Sequence, residues 1–407
     1  MEADFQTQLD WIAVQQKSME QLVTKWANVN SGSYNIAGLR HMREMLTAAF
    51  SPLGGEKEVI PLKPLTQIDS HGEKIEIPMA EALSIRKRPE APIQVLLVGH
   101  MDTVFGKDHP FQEAKLLQPT ILNGPGVADL KGGLVVMLHA LMALEHSNVA
   151  QQIGWQVLFN PDEEIGSISS DIELKKAATG KHVGLIYEPA LADGTLAGER
   201  KGSGNFTIVV RGKAAHAGRN PEDGRNAIVA AAELTQQIFA LNGKKEGVTL
   251  NPGKMEGGGA LNVVPDLAIL RFNIRTKMSA DEGWVMGEIE KLLQQMNARE
   301  GFWAELHGHF TRQPKPMEPE IKAVFDLVQQ CGKELGLTIG IKPSGGCCDG
   351  NNLWRHGLPN VDTLGVRGAN IHSDKEIVHL ESLTERAQLS ALLLMRLAKD
   401  GLALLER

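Results

Sequence analysis

Histidine and carboxylate side chains stand just past the ends of four apolar runs in this 407-residue chain. IQVLLVGHMD delivers His100 and Asp102, and GWQVLFNPDEEIGS delivers Glu163 and Glu164. GLIYEPA ends on Glu188, and VDTLGVRGANIHS leads to His372. A fifth stretch, NGPGVADLKGGL, sets Asp129 before a glycine pair and a helical run. Ligands of an open α/β sheet gather at the carboxyl ends of its strands. Carboxylates brought together there repel one another. A pair of divalent cations relieves that repulsion and turns such a cluster into a hydrolytic site.

Taken singly, each residue has a blander reading. His100 and Asp102 point the same way from a strand end. Asp102 can then accept from the second ring nitrogen of a metal-bound His100, or the two are a loop histidine and its neighbouring acid. Asp129 is either a ligand or a helix N-cap. Adjacent Glu163 and Glu164 point in different directions, so one can hold metal while the other faces substrate as a base. A solvated acidic turn is the alternative. Glu188 follows an apolar run, where an unpaired carboxylate is costly. His372 alone could be an ordinary loop histidine. The set as a whole is far more specific than any member.

The elements that must position these residues follow from periodicity. Phe5 to Phe50 has helical spacing and predicts two helices broken near Asn30-Ser31-Gly32-Ser33. Val59 to Ile85 reads as short strands and turns. Ile93 to Val98 is continuously apolar, as in a strand buried on both faces. Strands at Val157–Asn160 and Val183–Tyr187 alternate with helices at Leu134–Leu144 and Ile172–Ala178, predicting a mostly parallel sheet. Beyond Gly198 the order becomes βαββαβ, with the strand Asp266–Thr276 following a Gly257-Gly258-Gly259 turn. That order is a ferredoxin-like sandwich. Gln313-Pro314-Lys315-Pro316 reads as a return linker, and Leu383 to Leu405 as a final amphipathic helix. The predicted class is α/β: a mostly parallel catalytic sheet with helices on both faces, plus an inserted ferredoxin-like α+β domain. Residues 1–198 and 315–407 would form the first part and 199–314 the second.

Composition narrows the function. The net charge of -7 leaves no basic excess to neutralise phosphates, so neither nucleic acid nor an anionic membrane is an expected partner. The basic cluster Ile85-Arg86-Lys87-Arg88 reads as a solvated loop. Three cysteines, Cys331, Cys347 and Cys348, fit a reducing compartment. The N-terminus is acidic and amphipathic, unlike a secretory signal. No apolar run reaches the ~18 residues of a membrane span. The expected location is the cytoplasm.

The stretches GHMDTV, GVADLKGG, DEEIGS, EPA and the late His-Ser resemble the M20 metallopeptidases, the family of glutamate carboxypeptidases, desuccinylases and aminoacylases. The resemblance runs over nearly the whole chain. It implies that His100, Asp129 and Glu188 bind one zinc, and that Asp129, Glu164 and His372 bind a second, with Asp129 bridging. It also implies that Asp102 orients His100 and that Glu163 is the general base. Cobalt and manganese suit the same donors. Leu130 after the bridging aspartate departs from the family pattern but touches no ligand. In the inserted domain, the resemblance makes His216 an oxyanion donor to a partner subunit's site, which implies a homodimer. Asn262 and Arg275 would hold a substrate carboxylate; without the family, Arg275 reads as a strand residue paired to a surface acid. Cys347 and Cys348, in a glycine-rich loop, read as pocket walls rather than reactive thiols. The expected activity is hydrolysis of a small peptide or N-acyl amino acid, releasing a C-terminal amino acid as a glutamate carboxypeptidase does. An N-acyl-amino-acid deacylase with the same site is the rival enzyme. A non-catalytic metal-dependent binding module is the rival class, although it would need no base at Glu163. An unrelated two-metal phosphatase would need a phosphate cradle that the sequence lacks.

Overall fold

The computed structural model describes residues 2–404. Its central sheet has six strands in the order Glu56–Ile60, Ala82–Lys87, Ile153–Asn160, Ile93–His100, Val183–Ile186 and Asn360–Val361. The last four run parallel, and Ala82–Lys87 is antiparallel to both its neighbours. Ile93–His100 is buried along its whole length, which is why its sequence shows no alternation. Successive side chains nevertheless take opposite faces. Val95 and Leu97 join one core, beneath the helices Lys131–His146 and Ser382–Asp400. Leu96 and Val98 join the other, beneath Asp171–Ala178 and Asp349–Arg355.

The glycine pair Gly132-Gly133 lies in the first turn of Lys131–His146 and admits neighbouring backbone. A Cβ at Gly133 would lie 2.1 Å from the carbonyl oxygen of Tyr187. Only glycine lets the helix start sit on the strand end that carries Glu188, and this brings Asp129 to the same place.

Between the strand Gly202–Arg211 and the strand Trp303–Arg312 the chain follows the predicted βαββαβ order. Four antiparallel strands, in the order Thr249–Gly257, Leu267–Thr276, Gly202–Arg211 and Trp303–Arg312, carry the helices Ala227–Phe239 and Ala280–Asn297. Leu270, Phe272 and Ile274 face those helices in a core separate from the main one. The opposite sheet face borders a cleft of about 1160 Å³ shared with the main sheet's loops.

Several local expectations need correction. Three N-terminal helices form, Ala3–Ala13, Gln16–Ala27 and Ile36–Phe50, and no glycine or proline marks the break after Ala13. The basic cluster is not a solvated loop. Ile85 to Lys87 ends an inner strand, and Lys87 and Arg88 both close on the half-buried Glu145. The last helix stops at Asp400, where Gly401 turns to φ 74°; Leu405 lies outside the described residues. Among those residues, no helix is long and apolar enough to cross a membrane.

The return linker is not a solvated tether either. Arg200 and Lys315, one on each crossing between the two sheets, exchange backbone hydrogen bonds of 2.9 Å. Arg200 donates to Asp362 through Nε at 2.7 Å and Nη2 at 2.9 Å, and Lys315 Nζ donates to the same carboxylate at 2.5 Å. All three side chains are buried. Lys315 can leave water because Asp362 and Asn360 receive its ammonium. Removing one partner of a buried charge group strands the others and costs about 3–5 kcal/mol. Asp362→Ala should therefore lower unfolding stability by that amount in urea denaturation. A loss below about 1 kcal/mol would show that the crossing is held by something else.

Candidate active site

The strand ends that carry His100, Glu163, Glu164 and Glu188 converge with the Asp129 loop on one buried cluster; His372, expected at a strand end, comes from a turn and its side chain is 52% exposed. His100 Nε2 lies 3.1 Å from Asp129 Oδ1 and 3.8 Å from Glu188 Oε1. On the other side of Asp129, His372 Nε2 lies 3.1 Å from Oδ2 and 3.2 Å from Glu164 Oε2. Asp129 thus turns one oxygen to each histidine. Donor atoms of His100, Glu163 and Glu188 also lie within 4.8 Å of one another, as do those of His100, Asp129 and Glu164.

Burial makes these carboxylates hard to ionise. It pushes Glu164 up to about 7, with the charge of Asp129 adding to the effect against the hydrogen bond from His372. Burial also raises Glu188, against the attraction of the His100 ring 3.8 Å away. Glu163 is raised by burial as well, although Arg312 opposes the shift. Asp129 is the exception. Burial works against its charge, but hydrogen bonds from both histidines hold it below the usual carboxylate range. Hydrogen bonds to Asp129 and Glu164 raise His372 to about 11. The pocket is short of positive charge.

The residues present fit a pair of cations. Glu188 Oε1 is buried and, among the described residues, has no hydrogen-bond partner. Two donors each ~2.1 Å from a tetrahedral cation stand roughly 3.4 Å apart. The spacings of 3.1 to 3.8 Å around Asp129 bracket that separation.

The supporting contacts are specific. His100 Nδ1 meets the backbone carbonyl of Asp102 at 3.0 Å, closer than the Asp102 carboxylate at 3.3 Å. The backbone of Asp102, more than its side chain, therefore fixes the ring. Its carboxylate serves the next turn, accepting from the amides of Glu163 at 3.2 Å and Glu164 at 3.1 Å, and from Ser33 Oγ at 2.7 Å. Glu376 accepts from the amides of Gly126, Ala128 and Asp129 at 2.9 to 3.1 Å, shaping the loop that presents Asp129. The Asp129-Leu130 peptide is cis. His372 sits at φ 63°, a left-handed conformation that costs an L-residue about 1–2 kcal/mol. Its contacts with Asp129 and Glu164 hold it there.

Residues of the inserted sheet divide into two groups. Arg275 extends away from Leu270, Phe272 and Ile274 and donates to Asn273 Oδ1 at 2.9 Å and Cys347 Sγ at 3.0 Å. Among the described residues it has no acidic partner, which removes the surface ion pair as its role. Asn273 lines the cleft together with Glu164 and Ser169. His216 and Asn262 are exposed and lie on touching loops, joined by Ala217 N donating to the Asn262 carbonyl at 2.9 Å. Neither side chain is brought to the carboxylate cluster of its own chain.

Sequence reasoning missed Ser33, Glu376 and Arg312, all of which hold the site in shape. Ser33 fell in a predicted helix break. Arg312 fell between a strand and a linker. Each finds its partner far along the chain, so no spacing marks it.

Residues 96–396 match peptidase family M20/M25/M40. Carboxypeptidase G2 of Pseudomonas sp. (strain RS-16) is 33% identical over 309 residues, covering 74% of each chain. A succinyl-diaminopimelate desuccinylase of Psychrobacter arcticus is 26% identical over 347 residues, covering 81% of this chain and 83% of its own. The crystal structure of a tripeptidase from Staphylococcus aureus has the same fold, with a TM-score of 0.74 at 23% identity over 94% of this chain and 99% of that one. A profile match over most of the chain and a relative this similar lead to one assignment: the chain belongs to peptidase family M20/M25/M40 and is a metallohydrolase.

Proposed function

We propose that this enzyme hydrolyses an amide bond beside a free carboxylate, releasing a C-terminal amino acid, with Glu163 as general base. The observation that carries the proposal is Asp129, whose two oxygens each face a histidine at 3.1 Å. A carboxylate so placed suits a bridge between two divalent ions, held by His100, Asp129 and Glu188 on one side and by Asp129, Glu164 and His372 on the other. Zinc is the metal proposed, and cobalt and manganese fit the same donors. When bound, such a pair acidifies a shared water toward neutrality and polarises the scissile carbonyl.

The chain's own residues do the rest. Asp102 fixes the His100 ring so that Nε2 faces Asp129. Glu163 takes the proton of the attacking water and gives it to the leaving nitrogen. Arg275, free of any acidic partner among the described residues, clamps the substrate carboxylate through its planar fork, and Asn262, on the loop beside His216, is a further donor that would serve the partner subunit's site. His216 donates to the developing oxyanion in a partner subunit. The exposed tip that holds Asn262 supports a homodimer: Leu261 is 100% and Val263 43% exposed there. Residues 199–314 act in this scheme as the lid and dimerisation domain, a division supported by their separate apolar core. Three free cysteines support the cytoplasm as location. An N-acyl-amino-acid deacylase is the second possibility, supported by the desuccinylase relative, and the cleavage products separate the two.

If Glu163 moves protons without holding metal, Glu163→Gln should cut turnover of benzoyl-L-glutamate by roughly 10²–10⁴-fold. Both metals should remain in elemental analysis, and their loss would assign Glu163 to the ligand set instead. For the clamp, converting the substrate carboxylate to an amide should cost on the order of 2–5 kcal/mol of kcat/KM, as for breaking a desolvated charge pair. Arg275→Lys should harm the acid far more than the amide, and equal kcat/KM for acid and amide would remove the clamp. For the shared site, Glu163→Gln and His216→Ala proteins should regain part of the activity when mixed and allowed to exchange subunits. A fully active monomer would exclude this sharing.

A further inference from the structure

Glu163 lies where a metal ligand could lie. Its carboxylate is within 4.8 Å of the donor atoms of His100 and Glu188, and a carboxylate that ligates the metal is no longer free to act as a base. Something must hold it back. Arg312 Nη2 donates to Glu163 Oε1 at 2.7 Å and to the Glu163 carbonyl oxygen at 3.1 Å. Side chain and backbone of the residue are thus gripped by one guanidinium nitrogen. The other nitrogen, Nη1, donates to Asp349 Oδ1 at 2.9 Å and to Asn352 Oδ1. Asp349 is anchored in turn by Ser167 Oγ at 2.5 Å and Asn160 Nδ2 at 2.8 Å. The Arg312 side chain is 3% exposed, so this charge was taken out of water for these contacts. It is also the last residue of the strand Trp303–Arg312, and therefore carries the exit of the inserted domain to the proposed base.

We propose that Arg312 is a positioning residue for Glu163: it holds that carboxylate out of the metal's ligand set and aims it as a base. The inference rests on Glu163 being the base. A planar fork can serve Glu163 on one nitrogen and Asp349 on the other; an ammonium cannot span both. A merely structural strut would stabilise the fold without altering what Glu163 does.

Zinc calorimetry on the metal-stripped full chain separates the two without any need for turnover. Four proteins are compared: the natural chain, Arg312→Gln, Glu163→Gln and the double variant. Freed from Arg312, Glu163 should join the ligands, and Arg312→Gln should tighten zinc binding about tenfold, within the range of outer-contact effects. The change should vanish in the Glu163→Gln background. Turnover of benzoyl-L-glutamate should fall through kcat in Arg312→Gln, and the double variant should be no slower than Glu163→Gln alone. The same shift of zinc binding in both backgrounds would mean that Arg312 acts only as a nearby charge, and no shift in either would mean that it is only a strut; both results overturn the proposal. Should Arg312→Gln lose its native circular dichroism, Arg312→Lys goes through the same four-way comparison with the same expected and opposing results. An effect of Glu163→Gln on turnover tests the base itself, so failure of that assignment and failure of the Arg312 link are told apart.

Discussion

Carboxylates buried together without enough positive charge are the constraint around which this molecule is built. Asp102, Asp129, Glu163, Glu164 and Glu188 all reach one pocket. Asp102 is satisfied by Ser33 and two amides, and Glu163 by Arg312. Asp129 has a histidine on each oxygen. Among the described residues, Glu164 has only His372, and Glu188 keeps an unpaired buried oxygen. Unpaired carboxylates in such surroundings take up protons or bind cations. Two shared cations would satisfy the group at once and would supply the hydrolytic chemistry.

The rest of the fold serves that convergence. Parallel strands bring His100, the Glu163-Glu164 turn and Glu188 to one edge. A glycine contact seats the helix after Asp129 on the strand end that precedes Glu188. The inserted sheet is tied to this frame by buried charges at both ends. Arg200 and Lys315 meet on Asp362, and Arg312 meets Glu163 and Asp349. Arg275 on one sheet and the carboxylate cluster on the other are thus held in register by salt bridges rather than by a shared apolar core.

Much of the fold was legible because burial leaves its mark on the sequence. Strands buried on both faces appear as unbroken apolar runs, as in Ile93 to Val98, and the inserted sandwich shows its alternation in Leu270, Phe272 and Ile274. His100, Glu163, Glu164 and Glu188 were visible because each ends or follows such a run, whereas Asp129 and His372 lie on loops. What stayed hidden depends on contacts between distant residues. Glu376 supports Asp129 from 247 residues away, and Arg312 reaches Glu163 across 149. Lys315 looked like a linker residue because its partner, Asp362, lies on another segment. His216, Asn262 and Arg275 were suggested by family resemblance alone. For Arg275 the structure adds a physical reason, a guanidinium on the sheet face away from the apolar core, held on Asn273 and Cys347 with no acid beside it among the described residues.

The central claim is that Asp129 bridges two cations. Anomalous diffraction at the zinc edge, from crystals soaked in zinc, tests it most directly. The account predicts two peaks roughly 3.5–4 Å apart, one beside His100 and Glu188 and one beside Glu164 and His372, with an oxygen of Asp129 on each. A single peak, or zinc bound away from Asp129, would contradict it.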